Sequence, residues 1–127
     1  MESQYLHNAP LITHILGQMI EACDLITSWN VKITSSDDYL TSPEGMQTMA
    51  ASGMLIESIG EGVNKIDRLT KGLLYDKFPN TQWKEIMGLR DHIAHGYFNI
   101  DADIIFDVAK TEIPSLKETL SDFKNLF

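Results

Sequence analysis

The sequence predicts an all-α protein, an antiparallel four-helix bundle formed by a single domain over residues 1–127. Apolar residues recur at three- and four-residue steps along most of the chain, which is the period of one helix face. Pro10 and Pro43 stand where a helix would begin. A chain of 127 residues can form its own core. It leaves little room for a deep cleft within one subunit, which makes dimerisation plausible.

The first helix is predicted from about Pro10 to Trp29, with Asn8 as its N-cap. The polar stretch from Lys32 to Ser42 predicts a loop. The apolar face of this helix consists of Leu11, Ile12, Ile15, Met19, Ile20, Cys23 and Ile26.

The second helix is predicted to open at Ser42, with Pro43 at its first position and Glu44 beside the positive end of the helix dipole. We expect it to extend over about 25 residues or more, by its apolar periodicity. Its apolar residues are Met46, Met49, Met54, Ile56, Ile59, Val63, Ile66 and Leu69. The methionines among them could pack in the core or against a second subunit.

Three glycines, Gly53, Gly60 and Gly62, interrupt this second helix, where each costs about 1 kcal/mol relative to alanine. Close approach of a neighbouring helix is the simplest reason for them. They do not form a phosphate-binding loop, because no strand precedes them and no Gly-Lys-Ser/Thr follows.

The second half of the chain predicts two more helices. After a break over residues 72–80, Asn80 or Thr81 caps a third helix that ends at Gly96. The fourth helix begins at residues 101–103 and is kinked or interrupted at Pro114. The apolar residues of these two helices are Trp83, Ile86, Met87, Leu89, Ile93, Ile104, Ile105, Val108, Ile113, Leu116, Leu120 and Phe123.

Charge is distributed unevenly along the chain. The net charge of −8 and the pI of about 4.8 argue against a general nucleic-acid coat protein. Residues 64–90 are the exception, because six basic side chains stand there against three acidic ones. This basic segment leads directly into residues 90–97. It could supply an approach for an anionic substrate, or it could be an ordinary solvated helix face.

The single cysteine, Cys23, cannot form an internal disulfide bond. The N-terminal residues lack the basic and apolar regions of a signal peptide, and no apolar run approaches the roughly 20 residues that span a bilayer. We therefore expect a cytoplasmic protein without a membrane partner.

The stretch RDHIAHGY, residues 90–97, concentrates a guanidinium, a carboxylate, two imidazoles and a phenol within eight positions. Desolvating each of these groups is costly unless the group is paired, so such a cluster indicates an exposed cleft or an interface. Arg90 can hold a phosphate through two parallel hydrogen bonds. His95, beside the helix-ending Gly96, is suited to carry a proton. Tyr97 adds a hydroxyl group.

Arg90 and His95 are five residues apart, which on a regular helix corresponds to a rotation of about 140°. They would not share one helix face, so either the helix end unwinds or two subunits cooperate. A metal site is an alternative, because His92 and His95 are spaced i, i+3 with Asp91 adjacent, but no third His or Cys follows at metal-site spacing. Cys23 as a nucleophile is a weaker alternative, because it lies in an apolar helical stripe.

The pattern Arg, four residues, His, one residue, Tyr, followed by FNID and an Ile-rich helix, resembles the HEPN superfamily and specifically its HepT-like branch. The similarity extends over WKEIMGLRDHIAHGYFNIDADIIFDVAKTEIPSLKETL and over MLIESIGEGVNKI. It covers most of the chain and is weakest in residues 1–45.

The resemblance implies a homodimeric all-α toxin that cleaves RNA without a metal ion or other cofactor, with its active site at the dimer interface. It also implies a cognate antitoxin, a minimal nucleotidyltransferase. In this comparison Arg90 and His95 are catalytic, Asp91 supports the site, and Tyr97 is the tyrosine that the nucleotidyltransferase modifies with AMP.

The basic segment suggests Lys65, Arg68 and Lys84 as RNA-binding residues. Two alternatives to a nuclease remain open. One is a non-catalytic module that binds a nucleotide or a nucleotidyltransferase, which the low pI favours. The other is a purely structural bundle, in which Arg90 pairs with an acidic neighbour and His95 caps the helix.

Overall fold

The fold, taken from a computed structural model, is the all-α bundle that the sequence predicts. The structure describes residues 8–81, 83, 86, 88 and 101–127, and these contain helices and turns but no strand. The helices are α1 (Ala9–Trp29), a 3-10 turn (Ser36–Tyr39), α2 (Pro43–Leu69), α3 (Leu73–Lys77), α4 (Ala102–Asp107), a π-helical turn (Val108–Glu112) and α5 (Ile113–Lys124). Trp83, Ile86 and Gly88 are also helical.

The core forms where α1 packs between α2 and α5. Its fully buried side chains come from all three helices and include Leu16, Ile66 and Leu120. Cys23 is buried in the same cluster, as its place in the apolar stripe predicts, and burial raises the pKa of its thiol to about 12. A thiol in this environment is a packing group and a poor nucleophile.

The predicted start of α2 is confirmed. Ser42 is its N-cap, Pro43 opens the helix, and the backbone N–H of Gly45 donates to Ser42 Oγ over 2.9 Å. The helix has 27 residues, in agreement with the predicted length. A Cβ placed on Gly62 would lie 2.7 Å from Met19 Sδ in α1. The predicted close approach of a neighbouring helix is therefore confirmed at this glycine.

A buried polar network joins the end of α1 to α2 and to the 3-10 turn. Asn30 Nδ2 donates to the carbonyl oxygen of Ile26 over 2.8 Å and to Ser52 Oγ over 2.9 Å. The hydroxyl of Tyr39 donates to Asn30 Oδ1. Asn30, Tyr39 and Ser52 are all fully buried, so each must be hydrogen-bonded to avoid the cost of an unsatisfied polar group. The network holds residues 30–39 against the bundle.

The C-terminal helix is continuous through α4, the π-helical turn and α5. The N–H of Ile113 donates to the carbonyl oxygen of Val108, five residues earlier, which defines the wider turn. Pro114 has no N–H and its ring would clash with the carbonyl of residue 110 in a regular helix. The predicted interruption at Pro114 therefore takes the form of a π-helical turn just before the proline.

Some details of local structure differ from the predictions. Met46 and Met54, counted among the apolar residues of α2, are 54% and 57% exposed. The segment predicted as a loop before α2 is irregular apart from the single 3-10 turn, whereas the predicted break after α2 contains the short helix α3. Asn8 stands at the N-cap of α1 as predicted, but its side chain makes no capping hydrogen bond.

Within the described part of the chain, no helix is both long enough and apolar enough to cross a membrane.

Candidate functional site

The motif that carries the predicted chemistry lies outside the described residues. The residues outside the described part include the four predicted site residues Arg90, Asp91, His95 and Tyr97. They also include Lys84, one of the three predicted RNA-binding residues. Their roles stay predictions. The structure describes the segments on either side of the motif, and Lys65 and Arg68 on α2.

On its N-terminal side, Trp83 connects the motif segment to the core. The indole is buried, with 7% of its surface exposed, and Nε1 donates to the carbonyl oxygen of Phe78 over 2.9 Å. Its ring lies against Tyr75, with 5.4 Å between ring centroids. A large, buried aromatic side chain with its polar atom satisfied fixes the helical position of residue 83.

On the C-terminal side, Asp101 ends the motif segment by capping α4. Its Oδ1 accepts from the N–H of Asp103 over 2.9 Å and from the N–H of Ile104 over 3.4 Å. The side chain of Asp103 in turn accepts a hydrogen bond from the hydroxyl of Ser36 in the 3-10 turn. The predicted start of the last helix is confirmed, and it is linked to the segment between α1 and α2.

An acidic group that the sequence analysis missed, Asp67, lies near Tyr75, whose ring packs against Trp83. Asp67 Oδ1 is buried and has no hydrogen-bond partner among the described residues. Burial raises the pKa of Asp67, and the neighbouring carboxylate of Asp76 raises it further. The pKa of Tyr75 is raised by burial and by the charge of Asp67. Asp67 is therefore more readily protonated than an ordinary aspartate.

The periodicity of α2 contained a signal for this residue. Asp67 lies four residues after Val63 and eleven after Ile56, both of which are buried, so it falls on the core-facing side of the helix. A carboxyl group in an apolar row is unusual, and it indicates a partly buried acidic side chain at this position.

The cationic residues at the end of α2 lie on its surface. Lys65 and Arg68 are exposed, and Lys71 is exposed in the turn that follows. In the described part of the chain none of the three forms an ion pair, whereas Lys117 of α5 pairs with Asp24 of α1. Lys110 is also engaged, because its Nζ donates to the carbonyl oxygen of Asn30 over 2.6 Å. The last turn of α2 thus presents positive charge to solvent.

No group of three or more His, Cys, Asp or Glu side chains among the described residues could hold a metal ion. The alternative site formed by Asp91, His92 and His95 lies outside those residues.

Comparison with known proteins points to the same family as the Arg-His-Tyr motif. A family model described as "Ribonuclease HepT-like" matches residues 19–123. The chain is 31% identical over 102 residues to "Probable ribonuclease HepT" of Thermococcus cleftensis, a match that covers 80% of this chain and 86% of that protein.

A candidate RNase of Caldanaerobacter subterraneus is 29% identical over 113 residues, which is 89% of this chain and 90% of that protein. No solved structure gives a significant match. Because the family model matches residues 19–123, which is most of the chain, this protein belongs to the HepT-like ribonuclease family.

Proposed function

We propose that the protein is a metal-independent endoribonuclease, the toxin of a toxin-antitoxin pair, with Arg90 and His95 as its catalytic residues. The observation that carries this proposal is the family match over residues 19–123, within which Arg90, His95 and Tyr97 are all present at the motif spacing. The reaction is attack of a ribose 2′-hydroxyl on the adjacent phosphorus, with departure of the 5′-oxygen and formation of a 2′,3′-cyclic phosphate.

In this reaction His95 moves protons and Arg90 stabilises the charge that develops on the phosphoryl oxygens. Asp91 supports the site beside the arginine. The exposed cations Lys65 and Arg68, together with Lys84, would favour the approach of RNA to an otherwise acidic protein. The direct test is incubation of the purified chain with single-stranded RNA in the presence of EDTA. Fragments ending in a cyclic phosphate support the proposal, and intact RNA contradicts it.

We also propose that the active site is shared by two copies of the chain. A rotation of about 140° separates Arg90 from His95 on a regular helix, and pairing of two motif segments in one groove removes this difficulty. The described surface supports association, because Met46 and Met54 are more than half exposed and flank Ala50 on one face of α2. Exposed apolar strips of this kind are typical of protein interfaces.

The dimer prediction can be tested by static light scattering at micromolar concentration. We expect the wild-type chain to be a dimer, and we expect replacement of both Met46 and Met54 by Glu to weaken the dimer at least about 100-fold, because apolar contact is lost and charge is introduced. Val31→Glu is the matched control, because Val31 is 67% exposed in the turn after α1 and lies outside this strip. A monomeric wild type, or equal weakening by Val31→Glu, contradicts the prediction.

We propose that Tyr97 is the regulatory position, at which a cognate minimal nucleotidyltransferase transfers AMP from ATP. The phenol oxygen attacks the α-phosphorus and pyrophosphate leaves. The added phosphodiester places a negative charge and a bulky nucleoside two residues from His95, where it competes with substrate phosphate for Arg90. Modification therefore inhibits RNA cleavage.

Intact-mass spectrometry after incubation with that enzyme and ATP tests this regulation. We expect one or more AMP units on the wild type and loss of cleavage activity. Tyr97→Phe should cleave RNA and should gain no AMP. If the Phe variant is modified equally, or if the modified wild type still cleaves RNA, Tyr97 is not the switch.

The second candidate function is a non-catalytic module that binds a nucleotide or a nucleotidyltransferase. Its support is the pI of about 4.8, which disfavours RNA binding by the protein as a whole. A chain that binds the nucleotidyltransferase but leaves RNA intact under all conditions would favour this alternative.

A further inference from the structure

The turn between α2 and α3 contains an unusual backbone conformation. Lys71 has a φ of 55° and is the only non-glycine residue with positive φ in the described part of the chain. The next residue, Gly72, also has positive φ, at 87°. The left-handed region brings Cβ close to the following carbonyl oxygen, so lysine is disfavoured there and glycine is not.

Local hydrogen bonds hold this conformation. The N–H of Lys71 donates to the carbonyl oxygen of Arg68 over 3.3 Å, and the N–H of Gly72 donates to that of Asp67 over 2.9 Å. Thr70 is fully buried, and its hydroxyl donates to the carbonyl oxygen of Ile66 over 2.8 Å. These hydrogen bonds determine the turn. The left-handed conformation at position 71 is therefore set by the backbone and does not depend on contacts of the Lys71 side chain.

The Lys71 side chain continues a row of positive charge. Lys65, Arg68 and Lys71 follow one another at three-residue steps, and all three are exposed. Lys65 and Arg68, three residues apart, lie on one side of α2, and Lys71 stands in the turn just beyond the last residue of that helix, Leu69. Outside residues 64–90 the chain carries a net negative charge, so this row is where a polyanion meets least repulsion.

Stabilisation of the helix dipole does not require a lysine at position 71. A cation in the last turn of α2 would interact favourably with the negative end of the helix, but Arg68 already occupies that turn. A glycine at position 71 would form the same turn without strain. A strained residue on the surface whose side chain is not used for packing indicates a function for that side chain.

We propose that the α2–α3 turn is a phosphate-binding position for the RNA substrate, in which Lys71 contacts a backbone phosphate of the strand and adds to the positive charge of Lys65 and Arg68. This inference rests on the proposed ribonuclease function and adds a substrate-positioning residue to it. Lys71 contributes to binding of the RNA strand and takes no part in the proton transfers.

The test is equilibrium binding of a fluorescent single-stranded oligonucleotide with 2′-O-methyl groups, which lack the attacking hydroxyl and stay intact. Affinity is measured by anisotropy over a range of KCl concentrations for the wild type, Lys71→Gly, Lys71→Arg and Lys124→Ala. Each phosphate contact to a single strand contributes about 0.7 to the slope of log affinity against log salt. Lys124 is a matched control, because it is exposed in the last turn of α5.

We expect Lys71→Gly to reduce the magnitude of the slope by about 0.7 and the affinity at 0.1 M salt about fivefold. Lys71→Arg and Lys124→Ala should behave as the wild type. Because glycine relieves the backbone strain, the Tm of Lys71→Gly should be unchanged or higher by up to about 3 °C, which separates a binding effect from a folding defect.

An unchanged slope in Lys71→Gly overturns the inference, as does an equal loss in Lys124→Ala, which would show a general effect of net charge. If the wild type does not bind the oligonucleotide, the inference fails together with the RNA-binding part of the proposed function. If the Lys71 effect is found but unmodified RNA stays intact, the binding position stands and the proposed catalysis fails.

Discussion

Replacing either Arg90 or His95 by alanine should lower the rate of RNA cleavage by about 10²- to 10⁴-fold, the usual cost of losing a positioned acid–base or charge-stabilising group. Thermal stability and dimerisation should be nearly unchanged. The measurement is the single-turnover cleavage rate of a labelled RNA, with Tm and light scattering recorded on the same preparations.

His14→Ala is a matched control, because His14 is an exposed histidine on α1 and should leave the rate unchanged. His92→Ala, assayed with and without EDTA, tests the metal alternative. Near-full activity of His95→Ala would remove this residue from the chemistry. Complete inhibition of the wild type by EDTA would support a metal site at residues 91–95.

Replacing Gly45 by alanine should lower the free energy of unfolding by about 3 kcal/mol, the upper part of the range for overpacking a buried position. Gly45 is buried in the first turn of α2, and a Cβ there would lie 2.0 Å from the backbone carbonyl oxygen of Asp38. The 3-10 turn that contains Asp38 is tied to Thr34 and Ser35 through the Asp38 carboxylate, so the backbone cannot move away freely. Chemical denaturation measures the loss.

The matched control is Gly17→Ala in the interior of α1. A Cβ at this position makes only an ordinary contact, 3.7 Å from Lys124 Nζ. Alanine has the higher helix propensity, so Gly17→Ala should raise the free energy of unfolding by about 0.5–1 kcal/mol. The same substitution is thus expected to change the free energy of unfolding in opposite directions at the two sites. A neutral Gly45→Ala would contradict the close approach of α2 to the 3-10 turn.

Most of the helices could be predicted from the sequence because their signals are local. Pro43 after Ser42 marked the start of α2, and the start of α4 was predicted at residues 101–103. The repeated apolar residues between such signals gave the helical period. The exposure of Met46 and Met54 could not be predicted, because a methionine near the edge of an apolar face fits either the core or an interface.

The candidate catalytic site was predicted from residue types and spacing together with the resemblance to the HepT-like branch, and the family match supports the ribonuclease class. The individual roles of Arg90, Asp91, His95 and Tyr97 stay predictions, as does the role of Lys84. Asp67 was missed although its helical phase pointed to the core. A single polar residue in an apolar row does not reveal whether a partner is present, which depends on the elements packed against it.

By itself, the sequence determined the helical class of this protein, most helix boundaries and the family motif, because periodicity, caps and motif spacing are properties of neighbouring residues. Only the tertiary structure decided that Asn30, Tyr39 and Ser52 form one buried network and that Lys71 adopts a left-handed conformation. These features depend on which distant groups meet and on how the chain turns between helices. Local propensity does not set such contacts, because several packing arrangements satisfy the same hydrophobic pattern.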